Sequence, residues 1–160
     1  MKIKFFTTGG TIDKVYFDAK SEYEVGSPQV LEVLREANVA FEFEVESLLK
    51  KDSLDLTDVD RGLIRQRVES TPETKIVITH GTDTMIQTAQ ALLGISSKTI
   101  VLTGSMQPAR FRTTDAIFNI GCAIAAVQCL SEGVYVAMNG QVFDPRTARK
   151  NRQENRFETA

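Results

Sequence analysis

Short apolar runs alternate with longer amphipathic segments along this chain. Ile3 to Thr7 is apolar enough for a strand buried on both faces. Phe41, Phe43 and Val45 alternate with Glu42, Glu44 and Glu46, predicting a half-buried second strand near a sheet edge with its acids in solvent. Ile76 to Thr79, Thr99 to Thr103 and Gly133 to Met138 read as three further strands, and Gln141 to Phe143 as a short sixth. Helical stripes lie between them. Ser27-Pro28 reads as an N-cap and first helical position, leading a helix packed through Val30, Leu31, Leu34 and Ala37. Thr57 caps a helix to about Ser70, packed through Val59, Leu63, Ile64 and Val68. A third helix, from about Asp83 to Leu93, packs through Met85, Ile86, Ala89, Leu92 and Leu93, with Gly94 as its C-cap. A fourth opens at Thr114 or Asp115 and runs to about Leu130; it is apolar nearly all round, which predicts deep burial. Residues 8–27 are expected to be a long loop of the kind that serves as a lid.

Strand–helix alternation means an α/β fold: a three-layer, doubly wound, mostly parallel sheet in a single domain, as 160 residues allow. In the flavodoxin-like order 2-1-3-4-5, strands one and three are neighbours, and ligands bind beyond their carboxyl ends at that switch point. Composition narrows the partners. The net charge of −2 gives no electrostatic footprint for nucleic acid. The opening run Ile3 to Phe6 is too short for a signal peptide or a membrane span, so a cytoplasmic protein is expected. Cys122 and Cys129 would stand about 10 Å apart on a helix, too far for a disulfide; they read as small buried apolar residues suited to a reducing compartment. His80 is the only histidine, which excludes a histidine-based triad or a multi-histidine metal site and predicts a hydrogen-bonded structural role. Neither GxGxxG nor GxxxxGK[ST] occurs, so no dinucleotide or nucleoside-triphosphate cofactor is expected.

The candidate chemistry sits in two turns. Thr8-Gly9-Gly10-Thr11-Ile12 follows the first strand and His80-Gly81-Thr82-Asp83-Thr84 the third. Gly9-Gly10 permits a tight turn and close backbone approach to a ligand. Thr11 and Thr82 each offer a hydroxyl, a weak nucleophile that needs a base and donors for the oxyanion it creates. Asp83 suits a helix cap, a cation site or the orientation of a base. Taken alone, each turn also reads as an ordinary strand–turn–helix connection with a capping threonine; the switch point brings the two together. Glu42, Glu44 and Glu46 read as a solvated face, the basic residues from Arg146 to Arg156 as a solvated tail, and Arg110 and Arg112 as surface or interface groups near the crevice rim.

The two turns resemble the signature segments of the bacterial-type L-asparaginase family. Ser21 to Gly26 resembles its tyrosine-bearing lid, Asp52-Ser53-Leu54-Asp55 its carboxylate-binding loop, Gly104 to Pro108 a further loop, and Asp144-Pro145-Arg146 with Lys150 its lysine segment. The resemblance implies Thr11 as nucleophile, Tyr23 as its proton-transfer partner, and Thr82, Asp83 and Lys150 as a second catalytic cluster. It further implies substrate contacts from Gly10, Ser53, Leu54, Gly81 and Ser105, with Ser53 on the α-carboxylate, Asp83 on the α-amino group and the Ser105 backbone on the leaving nitrogen. The activity implied is hydrolysis of L-asparagine to L-aspartate and ammonia through a threonine-linked acyl-enzyme, in a homodimer or homotetramer.

The chain departs from the family pattern in several places. Family members continue into a smaller C-terminal domain; residues 1–160 correspond to the catalytic domain alone, resembling short single-domain forms. A partner chain's surface is then expected to close the site. Asp13 stands where a small residue is usual and should add negative charge to the first turn. Lys75 replaces a usual glycine. Leu54 replaces a glutamine that helps hold the substrate amine, which predicts modest affinity and little glutaminase activity. The alternatives are a non-catalytic asparagine or aspartate sensor and an asparaginase-like subunit of a tRNA-dependent amidotransferase.

Overall fold

The computed structural model describes residues 1–160. The first apolar run forms β1 (Lys2–Gly9), at the heart of the sheet. Its alternating side chains feed two cores. Phe5 enters a cluster with Ile3, Val77 and Val101 on one face, while Phe6 enters one with Ile76, Ile78, Ile100 and Leu102 on the other. Burial on both faces is why the parallel strands read as continuous apolar runs.

The remaining main strands are β4 (Glu42–Lys51), β5 (Lys75–Thr79), β6 (Thr99–Thr103), β7 (Gly133–Met138) and β8 (Gln141–Phe143). Their spatial order is β4-β1-β5-β6-β7-β8. All neighbours pair parallel except β8, which turns back antiparallel on β7. Counting parallel strands along the chain, this is the flavodoxin-like order read from the sequence, with the switch point between β1 and β5. Helices α1 (Val30–Glu36) and α4 (Ala116–Cys129) cover the first face. Helices α2 (Asp58–Ser70) and α3 (Met85–Ala91) cover the second. At the start of α2, Thr57 and Asp60 form a reciprocal capping box, which satisfies two backbone donors that would otherwise lack partners. Gly94, at φ +84°, follows the end of α3. No helix is long and apolar enough to cross a membrane.

Several local expectations are corrected. Residues 8–27 are not structureless: a single turn at Thr11–Asp13 leads into an antiparallel ribbon of β2 (Lys14–Phe17) and β3 (Glu22–Val25). The helix expected from Pro28 starts at Val30, where the Asp13 carboxylate accepts the Gln29 N–H at 2.9 Å. The third helix is shorter than its apolar stripe, because residues 82–84 are held in a turn. Only one face of α4 meets the sheet, so Ile117 and Phe118 are exposed, as is Cys129, while Cys122 is half-buried. On α2, Ile64 and Val68 are buried but Val59 and Leu63 face solvent. Glu44 and Glu46 are not simply solvated: Lys4 bridges both, and Arg67 reaches Glu46 at 2.8 Å. The parallel register places Lys4 directly beside Glu44, which accounts for the pairing. The basic tail is a second antiparallel ribbon, β9 (Ala148–Asn151) and β10 (Arg156–Thr159), anchored by the buried Phe157. Phe157 lies 6.5 Å from the Phe143 ring.

Candidate active site

Three turns meet at the carboxyl ends of β1, β4 and β5, and they meet through missing side chains. Gly10 has φ +87° and ψ −176°, a backbone region essentially reserved for glycine. A Cβ placed there would lie 2.5 Å from the Cα and N of Gly81. On Gly81, a Cβ would fall 2.6 Å from the Cβ of Ser53. The Gly10 N–H donates to the Lys51 carbonyl at 2.9 Å, and Thr84 Oγ1 donates to the Ser53 carbonyl at 2.7 Å. Gly10, Gly81 and Ser53 are thus packed against one another, and Thr11 and Thr82 follow the first two directly in the chain. Ser53 is buried; its neighbour Leu54 points into solvent, 65% exposed.

Lys150 reaches this cluster from β9. Its ammonium Nζ donates to Thr82 Oγ1 at 2.7 Å and to Asp83 Oδ1 at 2.9 Å. Phe157 is its register partner on β10, so the two side chains leave the ribbon on the same side. The buried ring therefore presses the ribbon onto the body, and the lysine follows. Arg152, beyond the end of β9, also approaches Asp83 Oδ1, at 3.6 Å. Across the crevice, Lys14 pairs with Asp52 at 3.2 Å.

The second turn is braced from beneath by His80, which is fully buried. Its Nδ1–H donates to the Gly81 carbonyl at 2.7 Å, which leaves Nε2 to accept from Thr88 Oγ1 at 2.8 Å. Burial holds its pKa down to about 4, so the ring is neutral at pH 7. Gly104 packs on the same turn, since a Cβ there would strike the His80 carbonyl. That contact places the loop of Ser105 beside His80 and Gly81. Ser105 is buried and donates to the Gln107 carbonyl, while Asp115 accepts the N–H groups of Met106 and Gln107.

Tyr23 lies on the outer ribbon, 52% exposed. Its ring packs 5.3 Å from Tyr16 and 5.7 Å from Phe111, tying the ribbon to the loop before α4. Asp13 does not add a solvent-facing charge to the first turn, contrary to expectation. Its carboxyl is buried at the base of the ribbon, where desolvation pushes its pKa up to about 7 against the opposing effects of the Gln29 N–H and the Lys50 charge. Arg110 lies alongside, its Nε donating to Gln29 Oε1 at 2.9 Å. A cavity of about 640 Å³ runs between α1 and Arg110 and takes no lining residue from the glycine turns. No three His, Cys, Asp or Glu side chains converge as metal ligands would.

Sequence reasoning did not find Arg152 or the anchoring role of Phe157. Local pattern carried no signal for the first, because Arg152 lies in the turn beyond β9 and only the path of that turn brings it to Asp83.

Comparison with known proteins places this arrangement. Residues 2–158 match the family model described as "Asparaginase, N-terminal". The chain is 32% identical over 162 residues to a glutaminase-asparaginase of Acinetobacter glutaminasificans, covering 89% of this chain and 47% of that protein. It is 41% identical over 83 residues to a glutamyl-tRNA(Gln) amidotransferase subunit of Methanococcus vannielii, covering 51% of this chain and 19% of that protein. Among solved structures, the thermostable L-asparaginase from Thermococcus kodakarensis superposes with a TM-score of 0.85 at 27% identity, over 99% of this chain and 51% of that one. L-asparaginase I from Vibrio cholerae gives a TM-score of 0.84 at 25% identity, with the same coverage of 99% and 51%. The chain thus spans about half the length of the full-extent relatives it matches.

Proposed function

Because the chain belongs to the asparaginase N-terminal family, we propose that it hydrolyses the side-chain amide of L-asparagine to L-aspartate and ammonia. Thr11 Oγ adds to the amide carbon, its proton passing by way of Tyr23. Backbone N–H groups of the glycine-rich turns hold the developing oxyanion. The C–N bond then breaks and ammonia leaves with the transferred proton, so Thr11 carries an aspartyl ester. Water adds to that ester, the Thr11 hydroxyl is restored, and aspartate departs. Ser53 takes the substrate α-carboxylate, Asp83 its α-ammonium, and the Ser105 backbone the leaving nitrogen. The Thr82–Asp83–Lys150 cluster manages protons during the two additions. A second copy, in a homodimer or homotetramer, closes the open side of the crevice.

One observation carries this proposal: the Lys150 ammonium sits 2.7 Å from Thr82 Oγ1 and 2.9 Å from Asp83 Oδ1, beside a turn in backbone contact with the one that bears Thr11. An asparagine sensor would need no such lysine–hydroxyl–carboxylate cluster next to a second hydroxyl. The decisive experiment is ammonia release from L-asparagine by the purified chain, with Thr11→Ala alongside. The expected result is turnover by the parent and none by T11A, with unchanged thermal unfolding. No ammonia from the parent refutes the proposal, and full activity in T11A moves the nucleophile to Thr82. A second reading, supported by the match to the amidotransferase subunit, is that the ammonia is passed to a partner enzyme. Release that rises only when such a partner is added would favour it.

A further inference from the structure

We infer that Arg152 is a specificity-determining residue: its guanidinium lies at the place beside Asp83 that the α-ammonium of an amino-acid amide must take. This inference rests on the proposed function, because it concerns how that site distinguishes substrates with and without an amine.

The geometry begins with β9. Lys150, on β9, is directed at the body by Phe157, its buried register partner, and Arg152 follows in the turn that leaves the strand after Asn151. The chain after β9 is held by the Asn151 carboxamide oxygen, which accepts the N–H groups of Gln153 and Glu154 at 3.1 Å. Both cations consequently converge on one oxygen. Lys150 Nζ is 2.9 Å from Asp83 Oδ1 and Arg152 Nη2 is 3.6 Å from the same atom. Arg152 forms no other ion pair. On its own ribbon, Glu158 is held by Arg149 at 2.7 Å and by Arg156 at 3.9 Å. Asp83 is the one carboxylate within ion-pair distance of Arg152.

The two cations differ in kind. The Lys150 side chain is 15% exposed and hydrogen-bonded to Thr82 as well, whereas the Arg152 side chain is 72% exposed and makes only the longer contact. Arg152 is therefore the displaceable one. A ligand α-ammonium that takes Asp83 Oδ1 pushes it back into water. A ligand of the same length without the amine has no such conflict, and its carboxylates gain from a nearby guanidinium. Leu54, exposed beside Ser53, brings no polar atom to offset this bias. The site as built should therefore accept deaminated analogues of asparagine and aspartate more readily than a site with Asp83 paired to lysine alone.

The test uses binding of the two product-like ligands, L-aspartate and succinate, which differ only in the amine. Isothermal titration calorimetry compares the parent with Arg152→Gln at low salt. An exposed ion pair supports a change of about two- to five-fold. The R152Q variant should bind aspartate tighter by that factor and succinate no tighter, so the aspartate-to-succinate affinity ratio rises. In roughly 0.5 M NaCl, where the Debye length falls to roughly 4 Å, the difference between parent and variant should shrink. An unchanged ratio overturns the inference, as does equal tightening of both ligands, a loss of aspartate affinity in R152Q, or failure of both proteins to bind aspartate. Ammonia release from asparagine is recorded on the same samples. Turnover with an unchanged ratio sinks only the role of Arg152, whereas absence of turnover sinks the proposed function itself.

Discussion

Replacing Gly10 with alanine is the sharpest probe of how the site is assembled. Two costs follow from the structure. The first is conformational: φ +87° with ψ −176° is a region other residues almost never occupy, which costs about 1–3 kcal/mol. The second is steric. The new Cβ would sit 2.5 Å from the Cα and N of Gly81, atoms of a backbone that His80 braces and that cannot swing aside as a side chain would. Overpacking of this kind costs about 1–3 kcal/mol. Together they remove about 2–6 kcal/mol from a stability that for such domains is about 5–15 kcal/mol. Urea unfolding followed by circular dichroism measures it. With a slope of about 1–3 kcal/mol per molar, the midpoint should fall by about 1 M or more. Gly62→Ala is the matched control: it lies inside α2 with nothing within 4 Å of where the new methyl would stand, and helix propensity should raise stability by about 0.5–1 kcal/mol. A G10A midpoint equal to that of the parent would refute the claim that the two turns touch through glycine backbone.

Two further outcomes are expected. Buried His80 and Asp13 pull stability in opposite directions with pH. His80 titrates at about 4 folded against 6.5 ordinarily, so its stabilising contribution is lost as pH falls through that window. Asp13, at about 7 folded against 3.8 ordinarily, contributes below that window, and its contribution is lost as pH rises through it. Asp13→Asn should therefore unfold at higher temperature than the parent at pH 8, by about 2–4 kcal/mol of stability, and that advantage should grow steadily from about pH 4 to about pH 7; a parent-like pH profile of melting would count against the buried carboxyl. Phe157→Ala empties an anchor that is 2% exposed and should cost about 3 kcal/mol. It should also lower kcat for ammonia release by loosening Lys150, and a parent-like kcat would show that the ribbon does not position the lysine.

Much of this architecture was legible in the residues, for identifiable reasons. Strands buried on both faces must be uniformly apolar, so β5, β6 and β7 stood out almost to the residue, and parallel order followed from the helices between them. Thr57 as a helix cap was equally plain, because its chemistry is local, although its reciprocal partner Asp60 emerged only in the structure. Misjudgements arose where tertiary contacts decide. Nothing near Tyr16 and Tyr23 in sequence announces that their rings pack against each other across a ribbon. Phe157, a lone apolar residue among charges, reads as a solvated tail until a register partner and a core are known. The apolar surface of α4 does not reveal that one sheet face can cover only half of it. In the site, the glycine turns could be paired from topology alone, whereas the second cation on Asp83 depended on the path of a ribbon that local pattern did not disclose.

The ribbon of β9 and β10 has one last implication. Two short strands that share no backbone ladder with the main sheet are held to it by side chains, chiefly Phe157 and Lys150, and are expected to open before the central layers do. Warming or mild denaturant can peel the ribbon away while the central layers stay intact, taking the amine of Lys150 with it. Under the proposed function, competence and foldedness should then be separable: a population should keep its native circular dichroism, lose ammonia release, and recover on cooling.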